Sequence, residues 1–227
     1  MKIYKNLALI GTSHIARESI LDVKKFILEK KPDIIALELD KKRLIALFNK
    51  RKPKIKDIKD IGIKGFLLNF IGAYIEKKLG KLVGVSPGSE MKTAVNLSKD
   101  YGARIALIDQ DISITLKRLS NKITLKEKFR ILKDIFKGII LKKSDIEPFD
   151  LKKVPKEEII LKLINKIREN YPSIYEVLIK ERNEHMAKAL YKIINDNKDK
   201  RILAVIGAGH EQELLDLIKQ NEQKNNL

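Results

Sequence analysis

Short uninterrupted apolar runs, each stopped by a glycine or a carboxylate, alternate along this chain with longer stretches of helical spacing. Leu7-Ala8-Leu9-Ile10 is one such run, closed by Gly11. A strand buried on both faces reads this way, because neither set of alternating side chains meets water. Across residues 15–30, the apolar positions Ile15, Ile20, Val23, Ile27 and Leu28 track one broad helical face. Pro32-Asp33 breaks that pattern, and Ile34-Ile35-Ala36-Leu37 forms the next buried strand. A helix between two such strands predicts a parallel pair with a right-handed crossover. The far end repeats the grammar, with a strand at 201–206, a Gly207-Ala208-Gly209-His210 turn and a helix at 211–220. A third strand is expected at 104–108, ending in Asp109. It follows a helix that Ser86 would cap and Pro87 would open.

The remaining segments have helical periodicity and carry most of the charge. Residues 123–141 and 159–167 are strongly amphipathic, and Tyr171-Pro172 separates a further helix at 174–194. The pattern predicts an α/β fold: a central, mostly parallel sheet with flanking helices and a basic helical insertion. We read one domain over residues 1–227, with helical insertions at about 41–82 and 113–170. The apolar stretch 66–75 contains Asn69 and falls well short of the roughly 18 apolar residues that suggest a membrane span. It fits an amphipathic core or interfacial helix. The first apolar run is likewise too short for a signal peptide.

Composition narrows the chemistry. With 44% hydrophobic residues in 227, the chain can bury a core and is not of a disordered class. Cys is absent, which excludes disulfides and thiolate sites and leaves His, Asp and Glu as metal ligands, with three His in all. The net charge is +18, and residues 41–64 and 115–156 contribute +8 each. Such a charge suggests nucleic acid or an anionic membrane surface. Yet the basic residues are 39 Lys against 9 Arg, with no Trp, which argues against specific nucleic-acid recognition. High Lys with 35 Ile also matches a heat-adapted, archaeal-like composition.

The informative coincidence is a strand, a Gly-x-x-His and a helix at both ends of the chain. Gly11-Thr12-Ser13-His14 follows the first strand and Gly207-Ala208-Gly209-His210 the last, with each glycine expected to allow a sharp turn. Each His then sits at a helix N-terminus beside the carboxyl end of a strand, where open α/β sheets bind ligands. If the two strands are neighbours, the imidazoles converge. A dinucleotide loop is rejected, because its third glycine would fall at Gln212 and the motif follows the last strand.

Glu38 and Asp109 end the second and third strands and reach the same edge. A carboxylate directly after four apolar residues is costly unless paired or solvated. For Glu38 the bland alternatives are a place beside a helix cap or an ion pair with Arg43. Glu90 lies in a first helical turn, where the dipole favours it without any function. Glu181 and His185 share a face at i, i+4, which an ordinary surface pair also explains. Two neutral imidazoles and one carboxylate can bind a transition metal with a position left open for water, whose pKa then falls. A second Glu would take the proton and an Arg would stabilise the oxyanion of a cleaved amide. No H-E-x-x-H helix is present.

The motifs GTSH (11–14), ALELD (36–40), PGSEM (87–91), LIDQDI (107–112), TLKR (115–118), ERNEHMA (181–187) and GAGH (207–210) occur in an order that resembles the TraB/PrgY family over nearly the whole chain. That family includes pheromone-shutdown proteins and is similar to the Tiki metalloproteases within an EreA/ChaN-like group. The resemblance implies an α/β fold with paired Gly-x-x-His motifs and acidic residues at one site. Through the Tiki branch, it implies metalloprotease-like, divalent-metal-dependent peptide cleavage. It also implies metal ligation by His14, His210 and Glu38, with Glu90 and Glu181 as further acidic candidates. Arg43, Arg118 and Arg182 would orient carboxylates or polarise a carbonyl. Gln110 departs from the basic residue expected in a LIDRD-like motif, which weakens any charge pair there. His185 is given no role.

The expectation is a peptidase or other hydrolase using Mn, Co or Zn. The alternatives are a non-catalytic peptide-binding or sequestering protein, or a basic membrane-surface or nucleic-acid binder. Expected partners are a peptide, an anionic membrane surface and a second copy of the chain. The expected location is cytoplasmic, or membrane-attached if the native chain continues past Leu227.

Overall fold

The computed structural model describes residues 1–13, 16–49, 86–140 and 153–225. His14, the 66–75 stretch and parts of both basic insertions lie outside the described residues. Five strands form one sheet: β1 (Lys2–Tyr4), β2 (Leu7–Thr12), β3 (Ile34–Leu37), β4 (Arg104–Leu107) and β5 (Ile202–Gly207). Their order is β1-β2-β5-β3-β4, with β1 antiparallel to β2 and every other pairing parallel. The expected mostly parallel α/β sheet is therefore present. β2 and β3 are parallel but not adjacent as expected; the last strand enters between them. The two strands bearing the Gly-x-x-His motifs are indeed neighbours, with Thr12 opposite Gly207.

Alternation along the strands sorts side chains to two faces. Leu9, Ile34, Ala36, Ile202, Ala204 and Ile206 share a core with Met186, Leu190, Leu214 and Ile218. Those four come from helices α8 (Glu181–Asp196) and α9 (Glu211–Asn225). Ile10, Ile35, Leu37, Leu203 and Val205 pack on the opposite face against Val23, Ile27, Met91 and Ala94. Those residues belong to α1 (Arg17–Lys30) and α3 (Ser89–Tyr101). Between these two helices in sequence, α2 (Lys41–Asn49) follows directly on β3. The middle strands read as continuous apolar runs because helices cover both sides.

Helix ends follow local chemistry. Helix α1 closes at Lys31, left-handed at φ 44°, just before Pro32. Helix α3 closes at Gly102, at φ 68°. Its start corrects the reading of Ser86 as cap and Pro87 as first residue: Gly88, at φ 77°, interrupts the helical backbone, so the helix begins at Ser89. The carbonyl of Ser86 instead accepts from the Ser89 amide and hydroxyl. Gly11 and Gly207 also do not make the sharp turns expected of them. Both lie within strands, and the left-handed glycines among the described residues are Gly88 and Gly102.

A helical layer joins β4 to β5: α4 (Ile112–Lys122), α5 (Leu125–Ile140), α6 (Glu157–Asn170) and α7 (Pro172–Tyr175). The Asp111 carboxylate caps α4 by accepting from the Ser113 amide at 2.7 Å. Thr124 and Glu127 form a capping box at the start of α5. A π-helical turn, Glu176–Lys180, carries α7 into α8.

Leu203 is fully buried in the central strand β5. Replacing it by Ala should cost about 2–5 kcal/mol, from lost transfer energy plus the cavity left behind. Urea unfolding measures this, and a loss below about 1 kcal/mol would contradict the packing described.

Candidate functional site

The carboxyl ends of β3, β4 and β5 bring together side chains far apart in sequence. Directly after β3, the main chain places Glu38 where its amide donates to the Val205 carbonyl at 3.1 Å. Its side chain is only 4% exposed. Oε2 of Glu38 accepts from the Gly207 amide at 2.5 Å, and Oε1 pairs with Nη2 of Arg182. Asp109, just past β4, is buried and takes three guanidinium contacts from Arg182, two of them through Nε at 3.1 and 3.2 Å. Arg43 reaches the same Asp109 oxygen at 2.6 Å and bonds Asp40 through Nε, also at 2.6 Å.

Asp40 also accepts from the Lys42 and Arg43 amides at the start of α2, and from the Ile112 amide at the start of α4. Of the two alternatives for Glu38, the helix-cap place and the Arg43 partnership both belong to Asp40, two residues later. Burial alone would raise the Asp109 carboxyl. The hydrogen bond and charge of Arg182, with Arg43 behind it, outweigh that and hold it below the usual carboxylate range. Arg182 is opposed by burial in the same way, but Glu38 and Asp109 push it up and keep it charged.

His210 stands at the start of α9, its Nε2 3.4 Å from Oε1 of Glu38. Its Nδ1 lies 2.6 Å from Oδ1 of Asn183, a fully buried residue one position after Arg182. Asn183 Nδ2 donates to Glu213 Oε2 at 3.1 Å, and a carboxylate can only accept, so Oδ1 is the atom facing the imidazole. Nδ1 therefore carries a proton. At Nε2 two neighbours make opposite demands: Nη1 of Arg182, a donor, lies 3.3 Å away, and Oε1 of Glu38, an acceptor, 3.4 Å away.

Of the expected site residues, the structure gathers Glu38, Arg43, Arg182 and His210. Glu90 is buried in the first turn of α3, which runs back against the strand direction and so begins near the same edge. Arg118 and Glu181 form a separate bidentate pair, with both contacts at 2.6 Å and Arg118 52% exposed. Gln110 forms no charge pair; its amide donates to Thr115 Oγ1 at 2.8 Å.

Sequence reasoning missed Asn183, Glu213 and Asp40. Asn183 carried a usable signal: Met186, Ala187, Leu190 and Ile194 follow it at helical spacing on the buried face of α8. An amide on that stripe needs partners.

Two of the groups expected to hold a metal stand at a ligand-like separation, although Arg182 lies against both. Zinc bonds of about 2.0–2.1 Å put tetrahedral ligands roughly 3.4 Å apart, the separation of His210 Nε2 and Glu38 Oε1. Among the described residues no group of three His, Asp or Glu is arranged to hold an ion. The third expected ligand, His14, lies outside them.

A protein-family model described as TraB/PrgY/gumN matches residues 4–225. The chain belongs to this family. It is 37% identical over 98% of its length to an uncharacterized protein of Methanocaldococcus jannaschii, of which it covers 55%. It is 22% identical over 80% of its length to the TraB domain-containing protein of Homo sapiens, covering 51% of that chain. The Bos taurus protein of the same name is 21% identical, with the same coverage. The chain spans about half the length of these relatives. In this TraB-family chain no helix among the described residues is long and apolar enough to cross a membrane.

Asp109 yields a pH test. Its folded carboxyl binds a proton less readily than the unfolded one. Its stabilisation is therefore complete above the unfolded value of about 3.9 and is lost as pH falls through the lower folded value. Asp109→Asn should lose about 3–5 kcal/mol at pH 7, and its gap to wild type should narrow as pH falls below 4; a gap independent of pH would contradict the ion cluster. For Asn183→Leu, nitrogen NMR of the imidazole should show the His210 proton moving from Nδ1 toward Nε2. Unchanged tautomer populations would remove Asn183 from this role.

Proposed function

We propose that this TraB-family chain is a divalent-metal-dependent hydrolase of peptides, with Glu38 and His210 at its centre and His14 as the third ligand. The observation that supports this best is the buried Glu38–His210 pair, with the imidazole oriented by Asn183 at the carboxyl edge of neighbouring Gly-x-x-His strands. A bound Mn, Co or Zn ion would supply Lewis-acid polarisation of a peptide carbonyl and of water.

The chain's own residues do the rest. Asn183 keeps the His210 proton on the nitrogen facing away from Glu38. The Gly207 amide holds the other Glu38 oxygen, fixing the carboxylate's orientation. Arg182, charged and anchored by Asp109, presents a guanidinium beside both groups, where it can stabilise an oxyanion. Glu90, at the same edge, is the candidate proton acceptor.

A second reading, peptide binding without cleavage, is favoured by one specific contact. Arg182 already bonds Oε1 of Glu38 and faces Nε2 of His210, so the protein places its own cation against both donors.

Titrating the chelated protein with Mn²⁺, Co²⁺ and Zn²⁺ separates the two. Wild type should bind one ion, and His210→Ala and His14→Ala should each weaken it by roughly tenfold or more. Circular dichroism controls for folding. Unchanged affinity in both variants would refute the metal site. A bound metal without cleavage of a diverse peptide library would leave the binding reading.

A further inference from the structure

A cavity of about 890 Å³ opens on the other side of the two Gly-x-x-His strand ends. It is bounded by Gly11 of β2, by Ala208 and Gly209 of the turn after β5, and by helices α1, α6 and α9. Phe26, Leu161 and Ile164 give it an apolar lining. Among the described residues, seven carboxylates line it against four cationic side chains and the N-terminal ammonium, in a chain whose net charge is +18. Lys2 and Glu157 pair at 2.8 Å and cancel each other, and Arg168 donates to the Tyr175 hydroxyl at 2.6 Å.

Glu211 is the most telling of the carboxylates. Its Oε1 is buried and accepts no hydrogen bond, with the N-terminal ammonium 3.7 Å away. Its other oxygen lies over Gly11, where an added Cβ would come within 2.7 Å. The missing side chain at Gly11 is thus what lets this carboxylate lie against the strand. On the opposite wall, burial and the neighbouring Glu18 carboxylate push Asp22 up, against the smaller opposing pull of the N-terminal ammonium and Lys25. The cavity is also tied to the Glu38–His210 pair. Glu213 lines it and accepts from Asn183, which in turn holds His210.

We infer that this cavity binds peptides bearing Lys or Arg beside aliphatic side chains, and so sets the substrate class of the adjacent site. The consequence for substrate choice rests on the hydrolase reading; the binding itself does not. Apolar walls take the aliphatic groups, and Glu211, Asp22 and Glu29 take the cation. An acidic peptide meets repulsion in the same space, and like-charge juxtaposition is a strong discriminator.

Calorimetric titration of the full chain in chelator, with no metal present, tests this. The probes are acetyl-Leu-Lys-Leu-Lys-amide, its Glu counterpart, and spermidine. The Lys peptide should bind at least roughly tenfold more tightly than the other two. The double variant Asp22→Asn/Glu29→Gln should weaken it by roughly tenfold, and Glu211→Gln by several-fold. Glu184→Gln, which removes one charge from the exposed face of α8 as Glu211→Gln does from the cavity, should leave affinity unchanged. Equal thermal midpoints confirm that the variants fold.

Equal effects from Glu184→Gln and Glu211→Gln would overturn the inference, since a diffuse field rather than the cavity would then be acting. Spermidine binding as tightly as the peptide would overturn the peptide class. A chain that binds the Lys peptide here yet binds no metal loses the hydrolase reading and keeps this one. A metal-dependent peptidase indifferent to Asp22, Glu29 and Glu211 does the reverse.

Discussion

Placing Arg182 against Glu38 and Asp109 removes three charges from water at once, and the desolvation cost must be recovered by geometry. Here the recovery is specific. The guanidinium uses Nε and both terminal nitrogens, Glu38 takes a backbone amide on its second oxygen, and Asp109 is shared with Arg43. Arg43 extends the cluster to Asp40, which carries the first turn of α2 and the Ile112 amide that opens α4. One ionic network therefore ties the ends of β3 and β4 to helices from three regions of the chain. Losing any member leaves a partner charged and buried, so the network acts as a unit.

The sheet order explains why this unit lies beside His210. The last strand enters between β2 and β3, so its carboxyl end emerges between the two earlier strand ends. Glu38 hangs from β3 onto the β5 turn through the Gly207 amide, and the imidazole three residues later falls within reach. In a sheet whose last strand lay at the edge, Glu38 and His210 would stand on strands that do not touch. The same insertion makes Gly11 and Ala208 adjacent and so forms one rim of the acidic cavity.

The parallel strands and their helices were legible because burial on both faces writes a continuous apolar run, whereas the adjacency of the two motif strands came from the sheet order. Strand β1 was not, since Ile3 is exposed and the segment gains its structure only by pairing with β2. Glu38, Asp109, Arg182 and His210 could be nominated by position, but their pairings could not. Arg182 is 144 residues from Glu38 and 73 from Asp109, and only the folded sheet order selects between Arg43, Arg118 and Arg182 as partners. The start of α3 was misread for a local reason: Ser-Pro fits a cap and first turn, but Gly88 at φ 77° ends that option two residues later.

The π-helical turn shows how finely the helix bearing Arg182 is set. Tyr175 and Asn183 both donate to Glu213, although eight residues separate them. In an uninterrupted α-helix eight residues overshoot two full turns by about 80°, which would put these side chains on different faces. The amide of Glu181 bonds the carbonyl of Glu176, an i to i+5 closure that inserts one extra residue. That residue absorbs about 100°, close to the overshoot, and returns both side chains to the Glu213 side. Arg182, next along, then points to Glu38 and Asp109 while Asn183 points to His210. The local departure from α geometry is therefore what allows one helix to serve the ionic cluster and the imidazole together.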